Sequence, residues 1–286
     1  MTTQTHFAQL ESRALVQVSG PDWRDFLQGL LTQDVETLAP GETRFAALLA
    51  PQGKLLFDLF VTGIEEGCLV DVAADRRDAL VQRLTIYRLR AKVEIKPVDI
   101  AVLAVWPAAG PSTEWPIDPR LAELGARGYG ALPPAGAVAA DEHAYHHHRL
   151  TLGVPDPDRD CPSDTTYPIE ANFDLLHGID FQKGCFVGQE TTSRMKRRGM
   201  IKNRMLPIVF EGEPPAFGAE VLAGERRAGE VLSGQEGRAM ALLRLDRIEG
   251  ASLSVDGRAV EVEWPSYLGD ANPSPLVGEG VGGADG

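Results

Sequence analysis

The texture of the sequence changes at Met205. From there to Trp264, short apolar runs alternate with turns at Glu211–Pro215, Ala223-Gly224-Glu225, Ser233–Gly237 and Asp256-Gly257. Runs this short and evenly spaced leave no room for a helix-based core, so the region is confined to a small all-β sandwich or barrel. The division that follows is a body over residues 1–204, a β unit over 205–267, and a Gly/Pro-rich stretch over 268–286 that reads as a disordered tail.

The body mixes its periods. Ala14-Leu15-Val16-Gln17-Val18 is a strand ending at Gly20-Pro21. Trp23, Phe26, Leu27, Leu30 and Leu31 recur at helical spacing and define one buried face. Arg44–Ala50 and Leu55–Thr62 flank Pro51-Gln52-Gly53-Lys54, which reads as a hairpin, with a third strand over Cys68–Val72. Asp75 is placed to cap a helix reaching Arg90, followed by strands at Lys92–Ile95 and Ile100–Val105. Residues 107–140 read as connecting loops with one short helix near Leu121–Ala126. Strands and helices without strict alternation indicate an α+β body.

Charge singles out one segment. The 286-residue chain carries a formal charge of −13, yet Lys183 to Arg204 holds seven cations against Glu190 alone and stands at +6, leaving −19 on the remainder. An acidic surface repels nucleic acid and anionic membranes, so such contacts need a local basic patch, and this segment is one. RNA would grip Lys196, Arg197, Arg198, Lys202 and Arg204, but few aromatics interleave them, and an acidic partner protein fits the same cations. Within the segment Cys185 sits between Gly184 and Phe186, near Lys183; positive surroundings favour its thiolate, the nucleophilic and metal-ligating form. Gly184 and Gly188 allow positive φ or close backbone approach, and Lys183 can pair with a phosphate or carboxylate.

The other cysteines, Cys68 and Cys161, make an odd total with no Cys-x-x-Cys, against a disulfide framework or an intrachain four-cysteine metal site. His143, His146, His147 and His148 cannot all face one metal from a regular element, so they read as a solvated patch and no metal site is assigned. No run of about 18 apolar residues is present. Met1–Leu10 lacks the form of a leader, and the expectation is a cytoplasmic protein without membrane contact.

The run Lys183-Gly184-Cys185-Phe186-Val187-Gly188-Gln189-Glu190, followed by Arg194, resembles the signature of the YgfZ-type, glycine-cleavage T-protein-like family. Phe26–Asp34, Ala47–Lys54, Arg149–Pro155 and Pro168–Asn172 resemble other segments of that family, so the likeness spans roughly residues 10 to 265. The resemblance implies a T-protein-like folate-binding α+β body with a small C-terminal β-barrel. It also implies tetrahydrofolate as cofactor, and a role in assembling or repairing iron–sulfur clusters, with client enzymes or assembly proteins as partners. Cys185 and Lys183 carry over as the functional pair. Glu170 would hold the pterin edge, since one carboxylate accepts two adjacent N–H donors, and Arg194 the glutamate tail. Asp58, Gly184, Gly188, Gln189 and Glu190 complete the expected cofactor contacts. The chain departs from the T-protein where Phe57 and Asp58 replace paired acids and Thr151 replaces a glutamate. Losing a carboxylate weakens proton management, which sets folate-dependent aminomethyl transfer behind cluster assembly as the alternative.

Overall fold

The computed structural model describes residues 4–107, 115–162, 164–197 and 201–271. In chain order the elements are β1 (His6–Gln9), β2 (Arg13–Ser19), α1 (Trp23–Gln28), β3 (Thr43–Leu49), β4 (Leu55–Ile64), β5 (Gly67–Ala73), α2 (Arg77–Arg88), β6 (Glu94–Val98), β7 (Val102–Trp106), β8 (Ala126–Tyr129) and β9 (Val138–Ala139). There follow α3 (Glu142–Thr151), α4 (Pro157–Asp160), α5 (Gln189–Arg197), β10 (Asn203–Val209), β11 (Glu220–Ala223), β12 (Arg226–Gln235), β13 (Arg238–Arg244), α6 (Leu245–Ile248), β14 (Leu253–Val255) and β15 (Arg258–Val262).

Three sheets organise them: β3-β4-β5-β2-β6, β8-β7-β1-β9, and a closed barrel β10-β13-β12-β11-β14-β15. The five-stranded sheet is buried on both faces, and period two decides which side chain goes where. Ala46 and Leu48 of β3 join Leu27, Leu80 and Leu84 in one core; Phe45, Ala47 and Leu49 face the other way, onto Phe173, Ile179 and Phe186. The second core also takes Met205, Leu232 and Met240, so the barrel is seated directly on the body. Met205 N–H donates to the Glu170 carbonyl at 2.8 Å, and Asn172 Nδ2 donates to the Met205 carbonyl at 2.8 Å.

Several sequence expectations shift. The helix beginning at Trp23 stops at Gln28, and Leu30 and Leu31 are buried from the following turn instead. Asp75 lies in a 3-10 turn and makes no cap hydrogen bond to α2. The stretch read as loops supplies two further strands, β8 and β9; residues 108–114 lie outside the described residues. Of the expected tail, residues 272–286 lie outside the described residues, while Leu268 packs into the barrel core and is 3% exposed.

Candidate functional site

The signature run forms a loop clamped at three points. Asp180 opens it: its N–H donates to the Thr32 carbonyl at 3.0 Å, and its Oδ1 accepts from the N–H groups of Gln182 and Lys183. The Lys183 ammonium then donates to the carbonyls of Gln28 (2.8 Å), Leu31 (2.8 Å) and Gln33 (2.9 Å). An ammonium has three donors, so all are consumed. Partial burial lowers the Lys183 pKa to about 8, against the pull of Asp34, Asp180 and Glu36. Phe186 anchors the middle of the loop in the second core. At the far end Gly188, at φ +81°, lies against the β3–β4 turn: a Cβ there would sit 2.7 Å from the Ala50 carbonyl oxygen and 3.0 Å from Gly53 Cα. Gly53, at φ +83°, leaves equally little room toward Thr191, whose Cβ would be 2.9 Å away. Three stretches distant in sequence (Phe26–Asp34, Ala47–Lys54 and Lys183–Glu190) thus meet, through backbone groups that only glycine or an unbranched ammonium can approach.

The clamped loop leaves Gln182 and Cys185 exposed, and Cys185 is the group of the two with nucleophilic or metal-ligating chemistry. The remaining thiols are less accessible, Cys68 being buried and Cys161 half-buried. Burial pushes Cys68 up to about 12. Burial beside Asp160, Asp58 and Asp156 raises Cys161 well above the ordinary thiol range, and its sulfur rests 3.9 Å from Met205 Sδ. Directly after the loop, α5 turns Thr192 and Met195 inward and leaves Arg194, Lys196 and Arg197 exposed. Lys196 lies 3.7 Å above the Phe181 ring, and Lys202 is exposed beyond the helix.

The structure corrects several assignments. Lys183 has no donor left for a substrate anion and is a loop anchor. Glu170 does not face a pterin: its Oε2 accepts from the Tyr167 N–H and its Oε1 from Asn203 Nδ2, both at 3.0 Å, so it ties a turn to β10. Arg204 leaves the basic patch; it is 5% exposed and pairs bidentately with Asp174 at 2.8 and 2.9 Å. Gly184 is exposed, has negative φ and no neighbour a Cβ would meet, so nothing demands glycine there. Gln189 and Glu190 open α5, with Glu190 exposed, and neither they nor Arg194 border the central cavity described next. Two of the four histidines are packed rather than solvated: His146 is buried, and His148 is held against Trp106 and the Glu123 carbonyl. Among the described residues no group of three or more His, Cys, Asp or Glu is placed to hold a metal.

The central cavity, between β4, β2, β8 and α3, lies elsewhere. It is lined by Arg13, Asp58, Arg120, Arg127, Arg149 and Asp156, among others, and its volume is about 20 Å³, room for about one water molecule. Its charges neutralise one another. Arg13 donates to Asp71 (2.6 Å) and Asp58 (2.9 Å), Arg127 to Asp71 (2.6 Å), Arg120 to Asp118 (2.8 Å) and Arg149 to Asp160 (2.6 Å). Three guanidinium groups, those of Arg13, Arg120 and Arg127, crowd the Phe60 ring. Burial and the neighbouring Arg149 lower His146 to about 3, keeping it neutral, which suits the 2.8 Å bond its Nδ1 accepts from Arg149. Cofactor pockets hold about 300–1,000 Å³. This cavity, as it stands, therefore does not fit tetrahydrofolate: Asp58 borders it but pairs with Arg13, and the free space is about that of one water molecule. Sequence reading missed this network, although its signal was present in acids set inside apolar strands, Phe57-Asp58-Leu59-Phe60 and Val70-Asp71-Val72.

Comparison with known proteins places this architecture. The aminomethyltransferase T of the glycine cleavage system from Bartonella henselae superposes with a TM-score of 0.75, covering 93% of this chain and 86% of that one, at 19% identity. The fold is therefore that of the T-protein, with a closed six-stranded barrel at its C-terminal end. Residues 202–270 match the family model "CAF17, C-terminal beta-barrel domain". The chain is also 33% identical over 279 residues to the iron-sulfur cluster assembly factor IBA57, mitochondrial, of Homo sapiens, covering 85% of this chain and 78% of that protein. The Mus musculus and Pyricularia oryzae counterparts are each 32% identical, over 85% and 84% of this chain and 78% and 72% of theirs. The chain belongs to the IBA57 family of iron–sulfur cluster assembly factors. The same relatives overturn the cytoplasmic expectation, since they are mitochondrial proteins; that expectation rested on the first ten residues, which hold no positive evidence of a compartment.

Proposed function

We propose that this chain supports iron–sulfur cluster assembly by presenting Cys185 as a single thiolate ligand to a cluster carried by a partner protein. The observation that carries the proposal is that, of three thiols, Cys185 alone is exposed, on a loop whose backbone is pinned on both sides of it. Clusters are held by about four ligands. One thiolate cannot complete that set, so the others come from the partner, with the cluster as cargo. The exposed cations of α5 beside the thiol suit an acidic partner surface better than RNA, which would want interleaved aromatics. Lys183 acts as a positioning residue, holding the loop through three carbonyls. The finer YgfZ-type assignment belongs to this proposal and is supported by the Lys183–Glu190 run itself.

In cells lacking the endogenous family member, Cys185→Ser is expected to abolish activity of cluster-dependent enzymes and Cys161→Ser to preserve it. Full restoration by Cys185→Ser removes the proposal. Tetrahydrofolate has no step in this reading, because the central cavity has room for about one water molecule. Calorimetric titration of the full chain with tetrahydrofolate is expected to give no saturable heat. Saturable binding that is lost in Asp58→Asn would replace this reading with the one-carbon transferase.

A further inference from the structure

The C-terminal end of α2 has features the cluster-assembly reading does not use. Leu80 and Leu84 turn into the first core, while Ile86, on the opposite face of the helix, is 62% exposed. Leu89, the residue that ends the helix, is 89% exposed and adopts φ +43°, ψ −102°. Positive φ is a strained choice for leucine, and here it costs backbone energy to place an apolar side chain in water. Around it the run Ala79–Val93 carries Arg83, Arg88, Arg90 and Lys92 with no acidic residue, in a chain whose net charge is −13. Of the nearby acids, Asp99 pairs with Arg77 and Glu94 with Lys96, while Asp22 brings one carboxylate to the patch, accepting from the Lys92 backbone N–H.

At 89% exposure Leu89 is a protrusion rather than the wall of a groove. A protein partner would need a matching pocket and about 1,000 Å² of contact. An aliphatic tip with exposed cations close by in the chain needs neither on a lipid surface, where the tip enters the acyl boundary and the cations meet anionic headgroups. The global negative charge does not prevent this, because charges farther away than about 8 Å are largely screened at physiological salt. We propose that the α2 tip, Ile86 and Leu89 with the exposed Arg88, Arg90 and Lys92 next to them in the chain, is a reversible docking site for an anionic membrane surface. No helix among the described residues is long and apolar enough to cross a membrane, so the contact is peripheral.

The test is sedimentation of the full chain with vesicles of phosphatidylcholine alone or mixed with phosphatidylserine. Binding is expected to the mixed vesicles only, and to weaken as salt is raised. Leu89→Gly removes the tip and relieves the positive φ, so its thermal midpoint should hold or rise while vesicle affinity falls at least about tenfold. The double variant Arg88→Glu, Arg90→Glu should lower affinity at least about 25-fold, from roughly fivefold per lost cation. No binding to the mixed vesicles at low salt, unchanged affinity in Leu89→Gly, or equal binding to phosphatidylcholine alone overturns the proposal. So does capture of an acidic protein through the same residues while vesicles are ignored.

Discussion

The central cavity and the signature loop are built from the same kinds of residue and put them to opposite use. In the cavity every acid sits against an arginine, and the space left over is about 20 Å³. In the loop the charged groups are consumed by backbone, and a single uncommitted thiol is left facing solvent. The centre of the body is thus a paired polar core, while the exposed thiol lies on the signature loop. The lesson is that a shared fold transmits scaffold, while what the scaffold offers depends on whether its polar groups are already paired.

If the cavity is structural, breaking it should damage folding more than any change at the loop. Asp71 is fully buried and serves both Arg13 and Arg127. Asp71→Ala leaves two guanidinium groups uncompensated and is expected to cost about 3–5 kcal/mol in urea unfolding. A loss below about 1 kcal/mol would mean the network is not holding the body together.

Lys183→Met should cost less, about 1–3 kcal/mol, from three carbonyls left without their donor. Its signature is local: protease should nick the 180–188 loop faster, and Lys183→Arg should not rescue it, because a planar fork does not match three carbonyls converging on one atom. Rescue by arginine would return Lys183 to a charge-only role. Gly188→Ala forces a side chain into positive φ and against Ala50, for about 1–2 kcal/mol, whereas Gly184→Ala should be neutral within about 0.5 kcal/mol. Equal thermal shifts for the two would dissolve the distinction drawn between them.

Much of the architecture was legible beforehand. The hairpin around Gly53 and the all-β C-terminal unit follow from local periodicity and turn chemistry, which act over a few residues. The site was legible only as a motif. Glycines and cations within Lys183–Arg204 look alike in sequence, yet Gly188 is sterically required and Gly184 is not, and Lys196 is exposed whereas Arg204 pairs with an aspartate thirty positions away. Glu170 reads as a ligand group from its carboxylate chemistry, and its partner Asn203 is likewise remote in sequence. What sequence reading lost in each case was the identity of a long-range partner, which decides whether a charge is spent or available. The exposed Leu89 was lost for a related reason: its neighbours are good helix formers, and nothing local announces that the chain turns outward there.

The account depends on Cys185 being the one thiol open to a partner. Brief alkylation of the native full chain, read by mass spectrometry of its peptides, measures this directly. The expected result is label on Cys185, with Cys68 and Cys161 reacting only after denaturation. Label appearing on Cys161 or Cys68 as fast as on Cys185 would contradict the account.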